Sequence, residues 1–346
     1  MKVGRIGATG ALELAELPTP EPGPGEIVVD LAACGVCGTD LEKLRGRYQS
    51  GGKIGHEPAG RVRAMGAGVD GIAVGDRVFV HHHVPCYECA VCARGDLTFC
   101  PTYQKTNLDP GGFAEAFRVP AENVRRGAVL RLHRSISWET AALLEPAGCA
   151  LTAIRRVGLP ANASVFVLGL GPVGLLYARL VRALGATWVG GTEISPLRRA
   201  AAERGGIDAA VDPREDGAAA AVVARGTDGR GVDLAVVATG HPAVVRSATE
   251  LVRRGGTVNL FGLPEPESRL DVDLQSLYLR GIRILPSYAT TEPDIAEVHH
   301  LVVTGRLRLD DLVSHRLPLE QVADAFALAA RPADSVKVVV TGPAAG

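Results

Sequence analysis

The chain has 346 residues, enough for about two domains, and 47% of them are hydrophobic. Its net charge of −1 gives no support for nucleic-acid or membrane-surface binding, and no apolar run approaches the roughly 20 residues of a spanning helix. Seven cysteines, an odd number, argue against a disulfide framework, and the N-terminus lacks the apolar core of a signal peptide. We therefore expect a cytosolic protein whose cysteines bind metal.

Residues 1–150 are predicted to be rich in β-strands. Apolar stretches such as 26–31 and 76–80 are separated by Gly and Pro clusters, and the proline-rich segment 18–25 can form only a loop.

Strands and helices alternate from about residue 160. Strands are predicted at 164–168, 187–189, 232–238 and 256–262, with helices at 172–184 and 196–204. This alternation is typical of a doubly wound α/β domain with a parallel sheet. Further helices at 293–304 and 319–328 and a strand at 336–340 complete the chain.

A glycine motif follows the strand at 164–168. Its residues are Gly169, Leu170, Gly171, Pro172, Val173 and Gly174, which fit G-x-G-x-x-G. Such glycines allow a tight turn and close approach of a pyrophosphate to a helix N-terminus. The context of strand, motif and helix predicts a dinucleotide site.

Glu193 follows the next strand, where an acidic residue contacts the adenosine ribose hydroxyls. A carboxylate there repels a 2′-phosphate and favours NAD(H). Arg198 and Arg199 are close in sequence and keep NADP(H) as the alternative.

Four cysteines have the spacing C-x2-C-x2-C-x7-C. They are Cys86, Cys89, Cys92 and Cys100. Four thiolates can close around Zn²⁺ and leave no open position, which predicts a structural site. An iron–sulfur cluster is the alternative, although its bacterial spacing has a shorter last gap.

Two further fragments carry ligand-type residues. One runs from Cys34 to Asp40 and contains C-G-T-D, and the other begins Gly55-His56-Glu57 and continues through Gly60 and Gly66 to Val69. With the cysteine cluster and the glycine motif, they resemble the zinc-dependent medium-chain alcohol dehydrogenases along nearly the whole chain. A thioredoxin-like use of Cys34 and Cys37 is the alternative, but no thioredoxin-like unit surrounds them.

The resemblance implies that Cys37 and His56 bind a catalytic zinc. It implies a third ligand from 143–149, where Glu145-Pro146 is similar to the sorbitol and polyol dehydrogenase branch. Cys149 is the competing ligand. Glu57 either binds the metal directly or stays behind it, paired with Lys337. Three protein ligands would leave one position for the substrate oxygen.

The residues expected to remove the substrate proton match the family pattern only in part. Thr39 matches the hydroxyl that contacts the substrate oxygen in the family, but Glu42 stands where many relatives have a histidine. Glu42 either takes part in proton relay or lies on a solvated face.

Several other residues are candidates for contact with substrate. Three adjacent histidines, His81-His82-His83, suggest a metal site, but strand alternation would place His81 and His83 on one face and His82 on the other. Packing at the strand end, facing the active site, is the alternative to substrate contact for these histidines. The loop residues with the same candidate role are Tyr48, Gln104, Asn107, Asp109, Ser287 and Tyr288. His315-Arg316 is interpreted as structural.

The resemblance implies a GroES-like β-barrel domain over 1–150 and 290–346 and a Rossmann domain over 151–289, with the active site in the cleft between them. The expected enzyme carries two zinc ions per chain and transfers hydride between NAD(H) and a secondary alcohol or ketone of a polyol, sugar or (amino)cyclitol. A threonine or simple-alcohol dehydrogenase and a non-catalytic NAD-binding scaffold or redox sensor are the alternatives. A homodimer or homotetramer joined through strand 282–285 is also expected.

Overall fold

The computed structural model describes residues 1–47 and 53–346 of the chain. They form two units: the first contains residues 1–148, 290–331 and 337–346, and the second contains residues 149–289 and 332–336. The sequence placed 332–336 in the first domain, but the structure groups this segment with the second unit. There the Ser335 carbonyl accepts a hydrogen bond from Arg198 Nε at 2.8 Å. Tyr48, a predicted substrate residue, lies outside the described residues.

The strands, in chain order, are β1 (Lys2–Ile6), β2 (Leu12–Glu16), β3 (Ile27–Gly35), β4 (Pro58–Met65), β5 (Arg77–Val80), β6 (Ala116–Val119), β7 (Val129–Arg131), β8 (Ser164–Leu168), β9 (Trp188–Thr192), β10 (Ala209–Val211), β11 (Val232–Val237), β12 (Val252–Leu260), β13 (Arg283–Pro286), β14 (Val313–Pro318) and β15 (Lys337–Thr341).

The α-helices are α1 (Gly38–Leu44), α2 (Ala90–Ala93), α3 (Ala121–Arg125), α4 (Trp138–Ala141), α5 (Leu144–Val157), α6 (Pro172–Ala183), α7 (Pro196–Arg204), α8 (Ala218–Gly226), α9 (Ala243–Leu251), α10 (Leu274–Arg280), α11 (Glu292–Val303) and α12 (Val322–Ala329). Short 3-10 helices lie at Leu97–Phe99, Asp310–Leu312, Leu319–Gln321 and Pro343–Ala345.

The first unit is built on a seven-stranded sheet in the order β14-β15-β3-β4-β5-β7, with β6 also paired to β3. Its neighbours are antiparallel except for the parallel pair β14–β15. β3 is buried along nearly its whole length, and the one charged residue within it, Asp30, is half-buried and pairs with Arg63 at 2.5 Å. The core beneath it includes Phe113 and Phe326, whose rings meet edge to face at 5.3 Å.

This sheet brings distant parts of the chain together at one end. β3 runs antiparallel to both β4 and β15, and its last residues lie opposite the first residues of β4 and the middle of β15. The residues that follow β3, precede β4 and begin β15 therefore meet. They include Cys37, Glu57 and Lys337.

The second unit has a six-stranded parallel sheet in the order β10-β9-β8-β11-β12-β13. Counted from β8, this is the strand order 3-2-1-4-5-6 of a Rossmann sheet. The predicted doubly wound α/β domain is therefore confirmed. Its ligand crevice is expected at the carboxyl ends of β8 and β11, where the strand order reverses.

Some elements differ from the predictions. α8 and α9 have nine residues each and α10 has seven, and none of them was predicted, because short helices show little periodicity. The helix expected at 319–328 begins as a 3-10 turn, Leu319–Gln321, before α12. The loop predicted at 18–25 is confirmed. Among the described residues, no helix combines the length and apolarity that a membrane crossing needs.

Candidate functional site

The four predicted cysteine ligands converge in a small lobe of the first unit. Cys89 precedes α2, Cys92 lies within it, and Cys100 follows a 3-10 turn. The measured Sγ–Sγ distances are 3.9 Å for Cys86–Cys92, 3.6 Å for Cys89–Cys92, 3.9 Å for Cys89–Cys100 and 3.5 Å for Cys100–Cys86.

These distances fit one metal ion. Four thiolates about 2.3 Å from a tetrahedral Zn²⁺ lie roughly 3.8 Å apart. Burial alone would raise the pKa of the Cys100 thiol, but hydrogen bonds from the backbone of Cys86, Tyr103 and Thr102 lower it to about 6. A thiol with this pKa is largely a thiolate at neutral pH, which is the form that binds metal.

The second predicted metal site lies at the sheet end described above. Cys37 immediately precedes α1, and His56 and Glu57 immediately precede β4. One ligand atom from each of Cys37, His56 and Glu57 lies within 4.8 Å of the other two. Glu57 was predicted to bind the metal or to stay behind it, and here its carboxylate reaches the same point as the other two ligands.

A buried ion pair orients Glu57. Lys337 Nζ donates to Glu57 Oε2 at 2.6 Å, and the two side chains are 3% and 0% exposed. Burial lowers the pKa of Lys337, but the charges of Glu57 and Cys37 outweigh that effect and raise it, so the ammonium form is kept. Glu57 Oε1 is buried and has no hydrogen-bond partner in residues 1–47 and 53–346. A metal ion is a suitable partner for this oxygen.

The pair fits because residue 35 has no side chain. A Cβ at Gly35 would collide with Glu57 Oε2 and would lie 2.9 Å from Lys337 Cε. Glycine at the end of β3 therefore leaves room for a carboxylate and an ammonium group to meet in the core.

Asp40 orients His56, a role that sequence reasoning missed although the residue belongs to the C-G-T-D motif. Asp40 Oδ1 lies 3.3 Å from His56 Nδ1, accepts a hydrogen bond from Gly55 N at 3.3 Å and pairs with Lys43 at 3.4 Å. Burial lowers the pKa of His56, yet Asp40 and Cys37 outweigh burial and raise it. A carboxylate behind one ring nitrogen leaves the other for a metal.

Glu145 lies at the start of α5 and is 6% exposed. Its ligand oxygen groups with His81 and His82 rather than with Cys37 and His56. It is nevertheless close to that site, because its charge contributes to raising the pKa of Glu57 after burial, the larger cause. Cys149 lies one turn further along α5 and belongs to none of the metal-binding groups found in the described parts of the chain. Glu145 as a zinc ligand stays a prediction.

The three adjacent histidines do not follow strand alternation. β5 ends at Val80, so the alternation of side chains stops before them. His81 and His82 approach the same point, whereas His83 Nδ1 contacts the carbonyl of Thr106.

Most of the other predicted polar residues have partners within the protein. Glu42 pairs with Arg45 at 2.6 Å and with Arg47 at 3.4 Å, which favours the solvated face over proton relay.

The predicted substrate residues in loops have partners too. Asp109 pairs with Lys53 and Arg118, and Gln104 donates to the Thr98 carbonyl. Asn107 accepts from Leu108 N, and in the second unit Ser287 Oγ accepts from Asn259. Tyr288 is partly exposed after β13, and Thr39 lies on α1. Arg316 pairs with Glu139 at 2.8 Å, in line with a structural role.

The glycine motif has the expected form in the second unit. Gly169 follows β8 with φ +101°, a conformation that favours glycine, and α6 begins with Pro172 directly after Gly171. A Cβ at Gly174 would collide with the Gly169 carbonyl, which explains the third glycine. The turn therefore presents the N-terminus of α6 to an anion.

Glu193 follows β9 and is 7% exposed, and its carboxylate accepts a hydrogen bond from Ser195 N at 3.0 Å. Arg199 donates to the Glu193 carbonyl at 2.6 Å and pairs with Asp212 at 3.1 Å. Arg198 donates to Ser335, and its guanidinium lies beside the Gly171 turn, 3.5 Å from where a Cβ would be.

Comparison with known proteins agrees with this arrangement. Residues 23–127 match the alcohol dehydrogenase GroES-like domain, and residues 172–304 match the zinc-binding dehydrogenase domain. The chain is 34% identical over 328 residues to L-threonine 3-dehydrogenase of Pyrococcus abyssi, which covers 91% of both chains. The chain belongs to the zinc-dependent medium-chain alcohol dehydrogenases.

Two further relatives widen the comparison. Sorbitol dehydrogenase of Bacillus subtilis is 32% identical over 343 residues, covering 94% of this chain and 92% of the relative. A protein of Sinorhizobium meliloti 1021, described as a zinc-binding dehydrogenase and solved with NADP, has a TM-score of 0.87 at 30% identity, with 98% of each chain covered. The predicted family, fold class and enzymatic nature of the dehydrogenase are confirmed, and the scaffold alternative is wrong.

The two candidate metal sites of the dehydrogenase should respond differently to loss of a thiolate. Cys89→Ser opens the four-cysteine site, and we expect loss of one zinc and a lower Tm, because structural zinc binding contributes folding free energy. Cys37→Ser should leave the Tm nearly unchanged and lower kcat at least about 1,000-fold. Elemental analysis, thermal unfolding and NADH absorbance measure these effects. Equal losses of Tm in both variants would contradict the assignment.

Proposed function

We propose that this dehydrogenase oxidises a secondary alcohol of a polyol, sugar or (amino)cyclitol with NAD⁺, and reduces the matching ketone with NADH. The observation that carries the proposal is the buried pair of carboxylates, Glu57 and Glu145, beside Cys37 and His56. Oxygen donors make this site harder than one built from thiolates, which suits a substrate rich in hydroxyl groups. The sorbitol dehydrogenase relative is in line with it.

The donor set fits zinc in both cysteine-containing sites, so the proposed enzyme holds two zinc ions per chain in these sites. Cys37 and His56 would hold the catalytic ion, with Glu57 or Glu145 completing the shell. When bound, the zinc lowers the pKa of the substrate hydroxyl and NAD⁺ accepts the hydride.

The chain's own residues prepare this chemistry. Asp40 sets the ring orientation of His56, and Lys337 holds Glu57 while balancing its charge. Thr39, two residues after Cys37, would accept the substrate proton through its hydroxyl and pass it to solvent. The ion pairs of Glu42 with Arg45 and Arg47 make Glu42 a poor next member of that path.

NAD(H) is the proposed cofactor. The Ser195 amide fixes the carboxylate of Glu193, which can then accept hydrogen bonds from the ribose hydroxyls and repel a 2′-phosphate. Asp212 holds Arg199, and Arg198 lies beside the glycine turn, where its charge suits the pyrophosphate. The NADP-bound relative is the reason to test the point directly.

A second candidate substrate is L-threonine. The relative from Pyrococcus abyssi with that activity shares 34% identity with this chain over nearly its whole length. Both candidates have a secondary alcohol, so they use the same zinc and differ only in the groups around it.

Assembly and location are further parts of the proposal. β13 is an edge strand of its sheet, and Leu274, Tyr278 and Leu279 of the neighbouring helix α10 are 75%, 85% and 59% exposed. An open strand edge next to exposed apolar side chains favours pairing with a second copy. The seven free cysteines favour a reducing compartment such as the cytosol.

A substrate screen tests the main proposal. Polyols, inositols and aminocyclitols are compared with L-threonine and simple secondary alcohols, with NAD⁺ as cofactor and NADH absorbance as the readout. We expect kcat/KM for the best polyol-type substrate to exceed that for L-threonine at least about tenfold, roughly the effect of one lost hydrogen bond. A higher value for L-threonine would select the second candidate.

The cofactor assignment is tested at Glu193. Glu193→Ala should lower the ratio of kcat/KM for NAD⁺ to kcat/KM for NADP⁺ roughly 10- to 100-fold. The variant loses the hydrogen bonds between the carboxylate and the ribose hydroxyls of NAD⁺, and it no longer repels the 2′-phosphate of NADP⁺. Glu203→Ala, on the exposed face of α7, is the matched control and should not change the ratio of kcat/KM values. If the native enzyme prefers NADP⁺, the role given to Glu193 is wrong.

The third zinc ligand is tested on α5. Glu145→Ala should lower kcat at least about 1,000-fold and release the catalytic zinc, whereas Cys149→Ala should retain both activity and metal. Occupancy of the catalytic site is measured with Co²⁺ in place of zinc. The signal is the part of the thiolate-to-cobalt absorption that is lost in Cys37→Ser. Loss of that absorption in Cys149→Ala, but not in Glu145→Ala, would make the cysteine the ligand and weaken the polyol assignment.

A further inference from the structure

A second group of metal-binding side chains lies in the first unit beside the Cys37 site. One ring nitrogen of His81, one of His82 and one carboxylate oxygen of Glu145 lie within 4.8 Å of one another. His81 is 1% exposed and Glu145 is 6% exposed. The ring centroids of His82 and His56 are 5.1 Å apart, so the two groups are neighbours.

The His81 ring has the orientation of a metal ligand. Its Nδ1 lies 2.9 Å from Glu292 Oε1, and the Tyr87 hydroxyl donates to the other oxygen of that carboxylate at 2.5 Å. The carboxylate oxygen accepts a hydrogen bond from Nδ1–H, which leaves Nε2, on the other side of the ring, as the nitrogen that can face a metal. Histidines that bind metals commonly donate their other N–H to a carboxylate in this way.

One buried nitrogen of each of the two histidine rings lacks a protein partner. His81 Nε2 and His82 Nδ1 are buried and have no hydrogen-bond partner within the described ranges 1–47 and 53–346. The backbone that carries them is held by Asn123, which is fully buried and donates to the carbonyls of His81 at 3.2 Å and His82 at 3.0 Å. Fixed side chains with unsatisfied nitrogens are expected where a ligand supplies the missing partner.

We propose that His81, His82 and Glu145 bind a divalent cation in addition to the zinc ions of the two cysteine-containing sites. Two imidazoles and one carboxylate are a donor set for Zn²⁺ that leaves a coordination position open. Beside the zinc at Cys37, this cation supplies a second Lewis acid for a neighbouring oxygen of the substrate. The inference goes beyond the proposed function, in which the zinc at Cys37 is the only ion that contacts substrate. If Glu145 also completes that site, its carboxylate would contribute to both ions.

Metal stoichiometry tests the proposal in the full-length protein. Each variant is loaded with Zn²⁺, passed into metal-free buffer and analysed for zinc per chain. His81→Asn keeps a donor at the position of Nδ1 for Glu292 and removes Nε2, so it should bind one zinc fewer than the native chain. His83→Asn is the matched control, because His83 lies outside the group, and it should keep the native zinc content.

Two further variants separate this site from its neighbour. Cys37→Ser should also remove one zinc, and the double variant with His81→Asn should remove two. Glu292→Gln should weaken zinc binding at His81 roughly 10- to 100-fold, as loss of a carboxylate behind a histidine ligand does. When the proteins are loaded with Co²⁺, His81→Asn should bind one ion fewer but keep the thiolate-to-cobalt absorption of the native protein, because the proposed site contains no thiolate.

Two results would overturn the inference. An unchanged zinc content in His81→Asn, with one zinc lost in Cys37→Ser, overturns this inference and leaves the proposed function intact. If His81→Asn, Cys37→Ser and the double variant each lose only one zinc, the two groups form one shared metal centre. That result also overturns the inference. If His81→Asn lowers the Tm by more than a few degrees, His82→Ala, which removes the whole ring, and Glu292→Gln decide the question by the same measurement.

Discussion

The buried ion pair between Glu57 and Lys337 is the interaction on which the metal-binding end of the first unit depends. It joins the start of β4 to the start of β15 across the end of β3, with 2.6 Å between Nζ and Oε2. Breaking a buried pair by removing one partner typically costs about 3–5 kcal/mol, because the remaining charge stays in the core. The pair directs one carboxylate oxygen toward Lys337 and leaves the other toward Cys37 and His56. Strand register, the absence of a side chain at Gly35 and the chemistry of the site are therefore linked.

Much of this arrangement could be predicted from sequence, because local patterns determine it. The spacing of Cys86, Cys89, Cys92 and Cys100 defines a metal site without knowledge of the fold, and the measured sulfur distances agree. The glycines at 169, 171 and 174 predict a dinucleotide site only when a strand precedes them and a helix follows them, and both elements are present. Cys37 and His56 were identified by resemblance to a family, and the sheet brings them together.

The remainder depends on contacts between distant segments. The position of Glu145 beside His81 and His82 arises from the packing of α5 near the end of β5, which no local pattern records. The role of Glu292 behind His81 links residues 211 positions apart. Strand alternation gave the wrong arrangement for His81–His83, because β5 ends at Val80, before all three histidines. Asp40 was visible within its motif, but its contact with His56 required the geometry of α1.

The order of β15 in the chain has a consequence for biosynthesis. Glu57 and Lys337 are separated by 280 residues, and a chain leaves the ribosome N-terminus first. At about 5–20 residues per second, Lys337 is made roughly 15–55 s after Glu57. During that interval the ligands Cys37 and His56 already exist without the cation that balances their neighbour, and β3 still lacks β15 on one side. The nascent chain therefore passes through a stage in which all four cysteines of the lobe have been made while the other candidate site still lacks Lys337.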